Sequence, residues 1–140
     1  MSTIVLGYDG SPSANAALAK TIELAPALGS SVVVVFGFYI SPLGGGDVHD
    51  FKERLESAAS HEVARAVADL EAEGIETSAR IISAQPADAI LSVAAEVGAD
   101  MIVVGTVGEN PISGALLGSV VLRLVQKSST PLLVVPTSES

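Results

Sequence analysis

Five strand-like apolar runs alternate with four helix-forming segments along this chain. That order predicts an α/β fold, a parallel sheet covered by helices on both faces. Three observations carry the prediction. The first two runs are continuously apolar, as strands buried on both faces are. The longest helical segment places its apolar residues at helical spacing. The changes from one element to the next are marked by Gly, by Pro, or by both.

The elements follow in order. Thr3-Ile-Val-Leu-Gly-Tyr8 is short, β-rich and mostly apolar, and reads as a strand. It stops at Asp9-Gly10-Ser11-Pro12, where Ser11 supplies a hydroxyl N-cap and Pro12 takes the first helical position. The helix runs over 13–28, with Pro26 distorting its last turn and Gly29 closing it. A second buried strand covers 31–38, and the stretch 40–49, with Gly44, Gly45 and Gly46, reads as a flexible loop. Phe51, Leu55, Ala58, Ala59, Val63, Ala66, Val67 and Leu70 make one face of a long helix over 51–73, ended by Gly74. Residues 75–83 alternate more in polarity, as an outer strand does. Pro86 opens a helix over 87–97 that Gly98 closes. Asp100-Met-Ile-Val-Val-Gly105 is the fourth strand. A Gly-rich loop follows, then a helix from about 115 to 127 and a fifth strand, Pro131-Leu-Leu-Val-Val-Pro136, before a tail over 137–140.

Right-handed crossovers leave few topologies for such a chain. The expected one is a Rossmann-like or flavodoxin-like three-layer sandwich: five parallel strands in the order 3-2-1-4-5, four helices, one domain over 1–140. Strands one and four are then neighbours at the topological switch point, where ligands bind outside the carboxyl ends of the strands. Asp9, Gly105 and the loop after Gly105 are delivered to that place.

Composition narrows the chemistry. Charged residues are 16% of the 140, and 7 Lys+Arg face 16 Asp+Glu for a formal charge of −9. An acidic surface repels phosphate backbones and anionic lipid, so neither nucleic acid nor membrane is an expected partner. Five aromatics and no Trp are too few for a base-stacking platform. Cysteine is absent, which removes disulfides, thiolate catalysis and zinc-thiolate sites. The start, MSTIVLGYDGS, has no basic region, and the longest apolar stretch, 32–40, is far below the ~20 residues of a spanning helix. A cytoplasmic protein without a targeting segment is the expectation.

The informative stretch is Gly105-Thr-Val-Gly-Glu-Asn-Pro-Ile-Ser-Gly-Ala-Leu-Leu-Gly-Ser119. Glycines let a ligand approach the main chain, and successive N–H groups at a helix start favour an anion. Ser119 adds a hydroxyl. This is no Walker A loop, since the first Lys after it is Lys127 at the far end of the helix. Nor is it the dinucleotide fingerprint. On spacing alone the same glycines fit a tight strand-to-helix loop equally well. Asp9 before Gly-Ser-Pro likewise fits a turn as well as a ligand contact. His49, near Asp47 and Asp50, lacks a metal-ligand spacing. No Ser–His–Asp or paired-carboxylate arrangement is assignable, so no catalytic residue is named.

The spacing Gly105, two residues, Gly108, nine residues, Gly118-Ser119 resembles the Gly-x2-Gly-x9-Gly-Ser/Thr signature of the ATP-binding branch of the universal stress proteins. Tyr8-Asp9-Gly10-Ser11, Ala99-Asp100-Met-Ile-Val-Val-Gly105 and Thr130-Pro131-Leu-Leu-Val-Val135 resemble that family's first, fourth and last strands, so the likeness covers nearly the whole chain. The resemblance implies an adenine-nucleotide-binding stress sensor or regulator, at most a weak ATPase, with ATP (or AMP or cyclic AMP) and Mg²⁺ as ligands. It implies that Gly108, Gly118 and Ser119 hold the phosphates, assisted by the backbone of Val120. Gly105 and Thr106 would line the ribose and phosphate side, Asp9 with Gly7 would lie beneath the nucleotide, and Gly37 would meet the adenine. It also implies a homodimer through Leu132–Val135, with a protein partner unknown. Val107 and Glu109 depart from the pattern, standing where many members carry basic residues; a divalent ion would offset the missing charge. The rival readings are a slow ATPase or adenylate-using enzyme, and a nucleotide-free dimeric interaction module.

Overall fold

The computed structural model describes residues 2–39, 48–107 and 117–137, without the side chains of 48 and 49. It contains β1 (Ser2–Gly7), α1 (Pro12–Leu28), β2 (Ser30–Phe38), α2 (Val48–Ala72), β3 (Thr77–Ser83), α3 (Pro86–Val97), β4 (Met101–Gly105), α4 (Ser119–Lys127) and β5 (Leu132–Val135). The strands form one sheet in the order β3-β2-β1-β4-β5. Every pairing is parallel, with Val5 opposite Val33 on one side and Ile102 on the other. The expected fold class and strand order are those observed.

The unbroken apolar character of β1, β2 and β4 has a direct cause, because each strand feeds two cores. Ile4, Leu6 and Tyr8 point to one side, packing with Val32, Val34 and Val103 against α1 and α2. Val5, Val33, Val35, Ile102 and Val104 point to the other, against α3 and α4. Each fully buried Val, Leu or Ile contributes roughly 1.5–3 kcal/mol relative to exposure, so this doubling makes the central strands the most stabilising part of the chain. β3, at the outer edge, has a mostly exposed pattern, consistent with its alternating sequence.

Local chemistry sets the helix ends. Ser11 Oγ accepts from the Ala14 amide at 3.1 Å, Pro12 stands at the first helical position, and Gly29 closes α1 with φ 65°. Pro26 is accommodated inside the last turn of α1. Gly98 closes α3 in the same left-handed conformation, φ 63°.

Three boundaries differ from expectation by two residues or more. α2 begins at Val48 rather than 51, and β3 begins at Thr77 rather than 75, because the Thr77 hydroxyl turns back to the Ile75 carbonyl at 2.9 Å and Ile75 packs in the core instead. α4 begins at Ser119 rather than about 115. The Gly118 amide is drawn out of the helical ladder to the Thr106 carbonyl at 2.7 Å, and the first helical bond is Leu122 N–H to Gly118 O. Residues 40–47, most of the expected loop, lie outside the described residues.

Candidate functional site

β1 and β4 lie side by side, and their chains leave the sheet for opposite faces: β1 runs into α1, β4 towards α4. The crevice that opens between two such departures is where α/β sheets bind ligands. Its walls can be built residue by residue.

At the end of β1, one Asp9 carboxylate oxygen accepts from the Ser11 amide at 3.0 Å, which fixes the turn into α1. Gly10 takes φ +79° in that turn. Asp9 remains half-exposed and lines the crevice. The turn role and the site position therefore coexist in one side chain.

At the end of β4, Gly105 is required by packing. A Cβ there would lie 2.1 Å from Ser13 Oγ and 2.4 Å from the Ser13 carbonyl oxygen. Only glycine lets the first turn of α1 rest directly on the strand end. Ser13 Oγ then accepts from the Val107 amide at 3.1 Å, pinning the start of the next loop. The loop's two ends are tied by the Gly118 amide donating to the Thr106 carbonyl.

The far wall comes from β2 and α3. A Cβ on Gly37 would stand 2.8 Å from the Pro86 Cα and 2.9 Å from the Ala89 Cβ, so glycine allows α3 to start close over the end of β2.

These walls enclose an inner cavity of about 70 Å³. Val35, Ile90, Val104 and Val121 make its apolar floor, and Gly7, Asp9, Gly37, Gly105, Gly118 and Val120 surround them. A groove of about 990 Å³ shares Asp9, Gly37, Val107, Gly118 and Val120 with the cavity and adds Ser11, Ser119, Glu62 and the aromatic edge of Phe36, Phe38 and Tyr39. A flat apolar group suits the inner space, and a polar group suits the rim.

The rim is electrically unusual at one end. α4 has Gly118 as its N-cap, with no side-chain cap, so the amides of its first turn have no side-chain acceptor from the cap residue. The Gly118 amide itself is engaged by Thr106, which leaves those of Ser119, Val120 and Val121 as the donors of that turn. Helix starts of this kind favour anions. Across the groove, Glu62 from α2 sits over Gly10; a Cβ on Gly10 would be 2.8 Å from its Oε2. Tyr8 is buried and donates to Asn15 Oδ1 at 2.6 Å. Burial pushes its phenol pKa up, and the Glu62 carboxylate adds to this, with Asp69 and Asp9 behind it and Arg65 opposing. The phenol is thus held neutral, as a donor.

Of the residues named from sequence, Gly7, Asp9, Gly37, Gly105, Gly118 and Val120 meet around the cavity, and Ser119 lines the groove. Thr106 lines neither space; its carbonyl closes the base of the loop. Gly108 and Glu109 lie outside the described residues. Ser13 and Glu62 went unnoticed in the sequence. Ser13 sits in a Ser-Pro-Ser start that reads fully as capping, and nothing in the α2 sequence distinguishes Glu62 from its charged neighbours. His61 is exposed, and the described residues hold no group of three or more His, Asp or Glu able to cage a metal.

Known proteins share this architecture and sequence. The model of the universal stress protein family matches residues 1–136. A universal stress protein of Thermus aquaticus is 35% identical over 95% of this chain and 97% of its own. A universal stress protein solved in complex with cAMP superposes with a TM-score of 0.76 at 29% identity, over 98% of each chain. One from Archaeoglobus fulgidus in complex with dAMP superposes at 0.66 and 27% identity, over 96% of this chain and 97% of its own.

Proposed function

The chain belongs to the universal stress protein family, and from that premise we propose that it binds an adenine nucleotide in the crevice between β1, β2, β4 and the start of α4. In this reading residues 1–140 form one nucleotide-binding domain, and its ligand is ATP with Mg²⁺, AMP or cyclic AMP being the alternatives. The observation that carries it is the start of α4, whose first-turn amides lack a side-chain cap and border a groove continuous with an apolar cavity. Two family members solved with cAMP and with dAMP support the adenine class.

Ser119 and Val120 would meet the phosphates through their amides, with Gly118 shaping the approach and Gly108 contributing from the loop. Gly105 and Thr106 would border the ribose side. Asp9 and Gly7 would lie beneath the nucleotide, and Gly37 would face the adenine. Mg²⁺ suits this setting: the groove lining includes two carboxylates, Asp9 and Glu62, and neither Lys nor Arg among the described residues, so a divalent ion held chiefly by phosphate oxygens would supply the missing positive charge.

The protein would act as a stress-response regulator in the cytoplasm rather than as a fast enzyme, its bound state being the signal. The described groove lining contains no histidine to act as a base. Dimerisation would use β5. It stands at the sheet edge with Leu132, Leu133 and Val134 half-buried, and α4 exposes Leu122 and Val125. An apolar edge strand is a template for pairing with a second copy.

Denaturing freshly purified protein and identifying released nucleotides by mass spectrometry tests the reading, followed by calorimetric titration of ATP with and without Mg²⁺. Co-purified or saturable adenine nucleotide is the expected result. A protein free of nucleotide that ignores ATP, AMP and cyclic AMP would leave the interaction-module reading in its place.

A further inference from the structure

A groove that takes phosphate usually recruits Arg or Lys. This chain has seven such residues, and their positions can be followed one by one. Lys20, Lys52, Arg54, Arg80 and Arg123 pair with Glu23, Glu56, Asp50, Glu96 and Asp88. None of the five lines the cavity or the groove. Lys127 stands in the last turn of the nine-residue α4, about 12 Å from its start at 1.5 Å per residue. Arg65 pairs with Glu62 at 3.5 Å, but its side chain is 73% exposed and does not line the groove. The segments 40–47 and 108–116 contain no Lys or Arg in their sequence and add one acid each, Asp47 and Glu109.

Against this, Glu62 does line the groove, and its carboxylate rests on the Gly10 turn next to Asp9. The field of Glu62 reaches into the site, for among the charged groups acting on the buried Tyr8 phenol it is the strongest.

We infer that Glu62 is a specificity-determining residue of the groove: with Asp9, it turns away uncomplexed polyphosphate and admits an adenine nucleotide either as its magnesium complex or with a single phosphate charge. The inference rests on the adenine-nucleotide reading above and names which charge form that site accepts. The physical cause is Coulombic. Free ATP brings up to four negative charges towards two carboxylates and the weak partial charge of one helix start, whereas a cyclic monophosphate brings one and Mg²⁺ cancels two.

The test is calorimetry at low ionic strength on the full chain, with three probes: ATP in EDTA, ATP with excess Mg²⁺, and adenosine 3′,5′-cyclic phosphate. Glu62→Gln should tighten binding of ATP in EDTA by about fivefold and that of the cyclic nucleotide by less than about twofold, with the difference shrinking in high salt. Arg65→Ala, which removes the one cation paired to Glu62 among the described residues, should move ATP in EDTA the opposite way. Glu73→Gln makes the same change in net charge at an exposed position just past the end of α2 and should leave the ranking of the probes unchanged. Equal shifts for all three probes in Glu62→Gln, or none, overturn the role of Glu62 while leaving nucleotide binding standing. Failure of every probe to bind the unaltered protein overturns both.

Discussion

Two strand-to-helix junctions meet at the same crevice and are built in opposite ways. At the β1–α1 junction the side chains satisfy the backbone. Asp9 accepts from the Ser11 amide, Ser11 caps α1, and Ser13 reaches across to the Val107 amide. At the β4–α4 junction the N-cap is Gly118, which has no side chain to cap with, and the first turn of α4 faces the groove. The same physical need, donors at a helix start, is met by side chains in one case and by no side chain of the cap residue in the other. A capped helix start serves the fold, and an uncapped one is what the proposed phosphate contact requires.

That contrast can be broken at several points. The largest effect is expected from Gly105→Val. The added Cβ falls within 2.1 Å of Ser13 Oγ and 2.4 Å of its carbonyl oxygen, so α1 cannot keep its seat on β4. A loss of about 3 kcal/mol or more in urea unfolding is expected, at the upper end of overpacking costs. Ordinary stability in that variant would mean the two junctions are not coupled.

Next comes Gly118→Asp, which turns the open junction into the closed kind. Gly118 has φ −77°, a conformation any residue adopts, so the fold should survive. An aspartate cap gains about a few tenths of a kcal/mol over glycine. It also sets a negative charge where phosphate would sit, so calorimetry should show adenine-nucleotide affinity falling by more than about tenfold. Unchanged affinity would remove α4 from the phosphate site.

Ser11→Ala opens the closed junction. Loss of its bond to the Ala14 amide should cost about 1 kcal/mol in chemical denaturation, with the nucleotide ranking unaltered. The smallest effect concerns Tyr8, whose phenol pKa is raised above 10.0 in the folded chain by burial and by Glu62. A raised folded pKa means its contribution to stability is complete below the unfolded value and is lost as pH climbs through the folded one. Urea midpoints should therefore fall above about pH 10, and Tyr8→Phe should flatten that part of the decline.

Much of this was readable from sequence, for physical reasons that differ by element. Continuous apolar runs pointed to doubly covered parallel strands, and the strand order followed from the few topologies that right-handed crossovers leave. The start of α1 followed from Ser11-Pro12, since a cap is a local interaction. The start of α4 did not. Ala115, Leu116 and Leu117 favour a helix, yet the Gly118 amide bonds to Thr106, a residue twelve positions earlier. Gly105 was singled out for its nearness to a ligand, and the structure adds a packing reason, contact with Ser13, that depends on α1 folding back over β4. Glu62 was invisible because which charged residue of a long helix turns towards a distant loop is decided by tertiary packing alone. The strand ends around the crevice could be read ahead from the expected topology and the family resemblance, and the side-chain contacts between distant segments, those of Ser13 and Glu62, could not.

The hydrogen bond from the Gly118 amide to the Thr106 carbonyl has a consequence for how this protein can change over evolutionary time. It fastens the two ends of the intervening segment to the scaffold, so the sheet and α4 are anchored whatever stands between them. Doubling the length of such a tethered loop adds only about 0.6 kcal/mol of closure entropy. Lengthening the stretch between Thr106 and Gly118 would thus cost little in closure entropy while the frame beneath it stays constant.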